Sequence, residues 1–272
     1  MSGTLTIVGT GISVSQLTHE ARTHIARAEK LFHLVADPIT KARIEELNYT
    51  AESLFDSYTP GKERMESYLE MVERMLTPVR EGKNVCVALY GHPGVFVYPS
   101  HKAIMQARKE GFEAKMLPAV SAEDCLFCDI GFDPARTGCQ SYEATDFLLF
   151  KRKFDQTSAL VLWQIGVVGD LTFQYPRYKN KGLSVLVEYL QQFYSPEHDV
   201  VVYEASSIVL CEPKIAWLPL SDLASFEVTP ISTLYIPPSG DAEIDEEMAS
   251  RLGLEELVAS YRKKREGRLL RK

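Results

Sequence analysis

Two groups of residues carry side chains suited to chemistry. The first is the run Tyr90 to Phe96, which reads Tyr-Gly-His-Pro-Gly-Val-Phe. Gly91 and Gly94 remove Cβ atoms, so a ligand can approach the backbone, and Pro93 fixes φ and stiffens the turn. Tyr90, His92 and Phe96 add rings and polar tips. This composition suits a ligand crevice, and equally a strand-to-helix turn with aromatics packed beneath it. The second group is Tyr58, Arg64 and Tyr68. Arg64 and Tyr68 are four apart and share a helix face, and Tyr58 stands at the mouth of that helix. A cation and two phenols make a polar cluster there. The alternative is an Arg and a Tyr covering apolar surface with their stems while their tips stay in water. A third feature, Ser121 with Asp124 three residues on, is a helix N-cap pattern. It caps a helix, or also offers backbone N–H groups to an anionic or polar ligand.

The elements that must position these residues follow from periodicity. Leu5 to Val8 is an apolar strand ending in Gly9-Thr10-Gly11, and Gln16 to Ala28 reads as a helix. The Gly-X-Gly lacks the third glycine of a dinucleotide fingerprint, because Val14 stands there, so a tight turn is preferred to a phosphate cradle. Lys30 to Ala36 is a second strand, and Pro38 opens the next helix. A long helix spans Lys62 to Arg80, its inward stripe predicted as Met65, Leu69, Val72, Leu76 and Val79, with Arg64 and Tyr68 beside it. Lys83 to Leu89 is the third strand, Tyr98 to Glu110 a helix, Ala114 to Leu117 the fourth strand, and Ser121 opens a helix to Ile130. This βαβ succession implies a parallel sheet, where ligands bind beyond the carboxyl ends of the strands. Four further strands, Ala159 to Gln164, Asp199 to Tyr203, Lys214 to Leu218 and Ser232 to Ile236, surround a helix from Leu183 to Phe193. They predict a second α/β domain with mixed or antiparallel pairing. The expected division is residues 1–118, 119–239 and a charged helical tail, 240–272. The tail is acidic from Asp241 to Glu256 and basic from Arg262, where it could dock an acidic peptide or simply be solvated.

A formal net charge of −7 argues against a general nucleic-acid binder, which needs a basic face. No apolar run approaches the roughly 20 residues of a membrane span. No basic, apolar leader precedes the first strand, so a signal peptide is not expected. Five cysteines in core-like segments suggest free thiols and a cytoplasmic setting. Cys125 and Cys128 form a lone Cys-X-X-Cys without a second pair, and no metal site is expected.

Strand-Gly-Thr-Gly at the start, Tyr-Gly-His-Pro-Gly-Val-Phe after the third strand and Pro-Ala-Val-Ser-Ala-Glu-Asp after the fourth resemble the tetrapyrrole-methylase fold. The resemblance narrows over Lys62 to Tyr68, Gly91 to Phe96, Ala114 to Pro118, Gly131 to Pro134, Trp163-Gln164 and Ser232 to Pro238. These blocks are similar to borosin peptide backbone α-N-methyltransferases over roughly residues 3 to 255. Where tetrapyrrole enzymes carry Gly-Pro-Gly-Asp after the first strand, this chain has Gly11-Ile-Ser-Val14, which counts against a porphyrin or corrin substrate.

The resemblance implies two α/β domains with S-adenosylmethionine folded between them and no metal. It implies methyl transfer to backbone amides of a ribosomal precursor peptide. Tyr58, Arg64 and Tyr68 match the family's catalytic cluster. A guanidinium beside a phenol favours the phenolate, so one of the tyrosines would abstract the amide proton while Arg64 steadies the developing charge. Tyr90, His92, Val95, Phe96, Ser121 and Ala122 match cofactor positions from the first domain, and Gln164, Tyr203, Ser232 and Thr233 from the second. The chain has no apolar peptide at its end, so a separate precursor is expected, with an interlocked homodimer inferred from the family. The competing expectations are a small-molecule or tetrapyrrole methyltransferase and a non-catalytic peptide-binding module on the same fold.

Overall fold

The computed structural model describes residues 2–173 and 180–269. It has two five-stranded sheets. The first is built from β1 (Thr4–Gly9), β2 (Lys30–Leu34), β3 (Glu52–Ser53), β4 (Asn84–Leu89) and β5 (Glu113–Met116), in the order β3-β2-β4-β1-β5 and parallel throughout. Central β1 and β4 are almost continuously apolar, as strands covered on both faces must be. Between the strands run α1 (His19–Arg27), α2 (Pro38–Leu47), α3 (Arg64–Arg80) and α4 (Tyr98–Lys109). One sheet face packs on α3 and α4 through Leu5, Ile7, Val85, Val87, Met71, Met75 and Ala103. The other packs on α1 and α2 through Val8, Leu31, Ala21, Ile25 and Ile44.

Two local expectations need correction. The first helix begins at His19, not Gln16, because Thr18 is its N-cap and takes the Ala21 N–H (3.1 Å). Residues Val14–Gln16 form a separate 3-10 turn. The inward stripe of α3 is also rotated from the predicted one. Met65 and Leu69 are 48% and 43% exposed, whereas Ser67, Met71, Val72, Met75, Leu76 and Val79 are buried. Tyr68 packs against this core, so it lies on the inward side rather than beside it. The short β3 strand was not expected: its two half-buried residues carry no periodicity of their own.

α5 (Ala122–Asp129) connects the sheets. It follows β5, yet its Leu126 packs on Val161, Trp163, Val201, Tyr203 and Tyr235 of the second sheet. That sheet contains β6 (Cys139–Glu143), β7 (Ala159–Trp163), β8 (Asp199–Glu204), β9 (Lys214–Pro219) and β10 (Thr233–Ile236), in the order β6-β7-β10-β8-β9. β6 and β7 are parallel and the other pairs antiparallel, so the sheet is mixed. α6 (Ala144–Leu149) and α7 (Gly182–Leu190) cover its other face through Phe147, Leu183, Leu186 and Leu190. The chain continues into α8 (Glu246–Arg251) and α9 (Glu255–Leu269), which pack on one another. Of the basic run, Arg271 and Lys272 lie outside the described residues. Among the described residues, no helix is long and apolar enough to cross a membrane.

Candidate active site

Three loops converge at the carboxyl ends of β1, β4 and β5. The Gly91 N–H donates to the Gly11 carbonyl (2.9 Å), and the Thr10 N–H to the Leu89 carbonyl (2.8 Å). Gly9 is at the point of closest approach. A Cβ built there would lie 2.2 Å from the Gly91 oxygen, 2.5 Å from Ala119 Cβ and 2.7 Å from Pro93 Cδ. The first glycine of Gly-Thr-Gly thus serves loop packing, as the tight-turn reading expects. Gly91 holds φ +68, and only Ile12 Cδ1, at 3.6 Å, lies near the place its Cβ would take. Gly91 is buried, and the positive φ is what requires glycine there.

The Tyr90–Phe96 loop is tied from within. The Gly94 N–H donates to His92 Nδ1 (2.9 Å), and Ser100 Oγ donates to the Pro93 and Val97 carbonyls. With Nδ1 an acceptor, neutral His92 keeps its proton on Nε2. Tyr90 is 37% exposed, yet partial burial of its phenol, with Cys125 and Asp37 nearby, pushes its pKa up to about 12. Val95 is half-buried. Phe96 is 50% exposed and holds φ +54, a conformation that costs an L-residue about 1–2 kcal/mol. Its ring meets Trp163 at 5.6 Å, which links the β4 loop to the end of β7. The residue after Trp163, Gln164, is also left-handed, at φ +61. Two strained non-glycine residues therefore flank one contact between the sheets.

Ser121 and Asp124 form a reciprocal capping box: the Asp124 N–H donates to Ser121 Oγ (3.2 Å), and the Ser121 N–H to Asp124 Oδ2 (2.7 Å). The cap uses those two donors and leaves the N–H groups of Ala122 and Glu123 at the helix start. On the second sheet, register gathers the remaining predicted residues. Thr233 pairs with Tyr203, and Leu234 with Leu162, so Trp163, Thr233 and Tyr203 fall in one row across β7, β10 and β8. These positions are buried, Tyr203 at 0% and Thr233 at 2% exposure. The Tyr203 hydroxyl donates to Asp129 Oδ2 of α5 (2.6 Å); burial and that carboxylate raise its pKa far above the ordinary phenol value. Ser232 is fully buried, and its hydroxyl donates to Glu204, which also accepts from Thr229 (3.0 Å). Tyr203 and Ser232 thus spend their hydroxyls inside the protein.

The Tyr58–Arg64–Tyr68 group lies at the start of α3 and in the loop before it. The two phenol rings meet edge-on, 6.4 Å between centroids and 78° between planes. Arg64 points its guanidinium to the loop after β7: Nε donates to the Thr172 carbonyl (3.2 Å) and an Nη to the Asp170 carbonyl (2.5 Å). The backbone reinforces this, with Arg64 N–H on the Leu171 carbonyl (3.0 Å), Gly61 N–H on the Phe173 carbonyl (2.9 Å) and Phe173 N–H on the Lys62 carbonyl (3.1 Å). Phe173 then stacks on Tyr58 at 4.7 Å and 15°. The two bonds occupy two of the guanidinium's five N–H donors. Phe173 and Tyr98, which lies near-parallel to Tyr68 at 6.0 Å, were not expected from the sequence. Their contacts are long-range pairings that no local pattern carries.

A hollow of about 530 Å3 lies at the opposite end of the first sheet, among the amino ends of β1, β4 and β5, with Arg27, Glu29, Glu113 and Lys115 on its walls. It is remote from the crevice at the carboxyl ends. Among the described residues, no group of three or more His, Cys, Asp or Glu could hold a metal ion.

A parallel sheet and a mixed sheet, joined by α5 and touching through Phe96 and Trp163, define an α/β protein of two sheets. The family model for tetrapyrrole (corrin/porphyrin) methylases matches residues 4–209, and the chain belongs to that family. It is 45% identical over 242 residues to a methyltransferase/ribosomally synthesized cyclic peptide gymnopeptides precursor of Gymnopus fusipes, covering 87% of this chain and 58% of the relative. It is 43% identical over 258 residues to the corresponding omphalotin A precursor of Omphalotus olearius, covering 93% and 62%. The chain therefore spans about three fifths of these two relatives. Among solved structures it resembles the uroporphyrin-III-C-methyltransferase of Thermus thermophilus, with TM-score 0.63, 17% identity, and 88% and 93% of the two chains covered; this likeness concerns the fold.

Proposed function

We propose that the chain is an S-adenosylmethionine-dependent methyltransferase that methylates backbone amide nitrogens of a ribosomal precursor peptide. The observation that carries this is the run of ring contacts from the Tyr58–Tyr68 pair to Tyr98, two residues from Phe96 where the sheets touch. The relatives, whose names join a methyltransferase to a cyclic-peptide precursor, support it.

The loops at the strand ends offer groups suited to the cofactor. The exposed ring of Phe96 and the half-exposed Tyr90 suit an adenine. His92 Nε2 and the N–H groups of Ala122 and Glu123 suit its polar amino-acid end, with Val95 adding an apolar wall. Gln164, Tyr203, Ser232 and Thr233 shape the facing side. Bound there, the group supplies an electrophilic methyl on a sulfonium.

The chain's own residues must overcome the poor nucleophilicity of an amide, whose lone pair is delocalised into its carbonyl. One of the two tyrosines, acting as its phenolate, takes the N–H proton and is left as the phenol. The remaining N–H donors of Arg64 steady the charge that arrives on the carbonyl oxygen. Its bonds to the Asp170 and Thr172 carbonyls hold the guanidinium in place, so no reorganisation is needed at that moment. The peptide arrives as a separate chain or, as in the relatives, within the same chain; a homodimer is part of the same proposal. Arg64→Ala and Tyr68→Phe test the roles: cofactor binding survives and peptide methylation falls strongly. Normal methylation by both variants removes the assignment.

A further inference from the structure

Aromatic rings run in a row past the proposed catalytic group. Phe173 stacks on Tyr58, Tyr58 meets Tyr68 edge-on, and Tyr68 lies near-parallel to Tyr98 with centroids 6.0 Å apart and 27° between planes. Tyr98 is the first residue of α4 and is 41% exposed. Two residues earlier, Phe96 meets Trp163 instead. The segment Phe96–Tyr98 therefore joins the crevice at one end to the ring row at the other. The reaction as described leaves Tyr98 without a task, although a large ring half in solvent is normally better buried.

We propose that Tyr98 is a specificity-determining residue: its ring closes the wall against which the side chain of the acceptor residue lies, and so sets how large that side chain can be. The inference rests on reading the Tyr58–Arg64–Tyr68 group as catalytic. Because Tyr98 packs on Tyr68, any group bound at the Tyr68 hydroxyl lies within one ring's reach of it. Ring faces offer dispersion and few hydrogen-bond acceptors, so they favour apolar side chains, and the bulk of the Tyr98 ring limits how large these can be. They also accept a backbone that has lost its N–H donor, since no carbonyl in the wall is left unpaired. Tyr98 contributes bulk here, not its hydroxyl.

The test appends a flexible Gly/Ser linker and a Val-rich host segment to the full chain, which raises the effective concentration of acceptor. One guest position carries Gly, Val, Leu, Phe or Trp, and tandem mass spectrometry follows methylation of the guest amide. Wild type should methylate Val and Leu guests faster than Phe and Trp. Tyr98→Ala should raise the Phe and Trp rates relative to Val by about tenfold, roughly the value of one to two buried methylenes. Tyr98→Phe should keep the wild-type ranking. A wild-type ranking in Tyr98→Ala, or an equal shift in Tyr98→Phe, overturns the inference and leaves the catalytic reading intact. Wild type that binds S-adenosylhomocysteine yet methylates no guest overturns both. If Tyr98→Ala fails to fold or to bind S-adenosylhomocysteine, Tyr98→Leu replaces it: an intermediate shift supports the inference and an unchanged ranking overturns it.

Discussion

Phe96 and Trp163 touch ring to ring at 5.6 Å, although one closes the loop after β4 in the first sheet and the other ends β7 in the second. Phe96 makes that contact from φ +54, where glycine would sit without strain. The loop keeps a strained aromatic in place of a relaxed glycine, which is how binding sites tend to hold strain.

Replacing Phe96 by Gly separates the two roles. The backbone strain of about 1–2 kcal/mol is released, offsetting the lost ring contact, so thermal stability changes little. S-adenosylhomocysteine affinity falls by about tenfold, the worth of roughly one aromatic contact. Calorimetric titration with a parallel thermal melt reads both; unchanged affinity would remove Phe96 from the cofactor site.

Gly9 is where three loops meet. Gly9→Ala forces a methyl to 2.2 Å from the Gly91 oxygen, so the β1 and β4 loops must part. Urea unfolding should show a loss of about 1–3 kcal/mol. Cofactor affinity should fall with it, because the Tyr90–Phe96 loop shifts. A variant as stable as wild type would mean that the loops are looser than this geometry.

Arg64→Lys keeps a positive charge but loses the planar fork that reaches both the Asp170 and Thr172 carbonyls. The peptide methylation rate should drop on the order of a hundredfold, as for loss of one preorganised donor. S-adenosylhomocysteine binding should stay within about threefold. A Lys variant with near wild-type rate would show that charge alone suffices.

His33 on β2 is 1% exposed, its Nδ1 has no partner among the described residues, and Glu45 is 4.0 Å from Nε2. Burial lowers its pKa from the ordinary 6.5, partly opposed by Glu45 and Asp56 and helped by Lys41. The folded chain thus keeps His33 neutral while the unfolded chain takes up a proton. Its contribution is intact above 6.5 and is lost as pH falls below it. Urea midpoints should fall between about pH 7.5 and about pH 5.5, and less so in His33→Gln. Equal falls in both proteins would assign the acid sensitivity elsewhere.

Much of this was legible in the chain itself. β4 announces itself as an unbroken apolar run from Val85 and β1 as an apolar run interrupted only by Thr6, and the Ser121–Asp124 pattern is the capping box that forms. β6 was missed because all five of its residues are half-buried, which erases both alternation and continuity. The α3 stripe differs from the predicted one because Met65 and Leu69 fit the helical period yet stand exposed, while Tyr68 takes the inward place. The Tyr203–Asp129 and Arg64–Thr172 bonds join residues 74 and 108 positions apart, and no window along the sequence holds both ends.

The central claim is that a methyl group reaches a main-chain nitrogen. Incubating the purified chain with S-adenosylmethionine and a precursor peptide, then mapping the product by tandem mass spectrometry, tests it most directly. The account predicts added methylenes on backbone amides, one per modified residue, and nearly none with Tyr68→Phe. Methyl groups on side chains alone, or an unmodified peptide beside a cofactor-loaded protein, would contradict it.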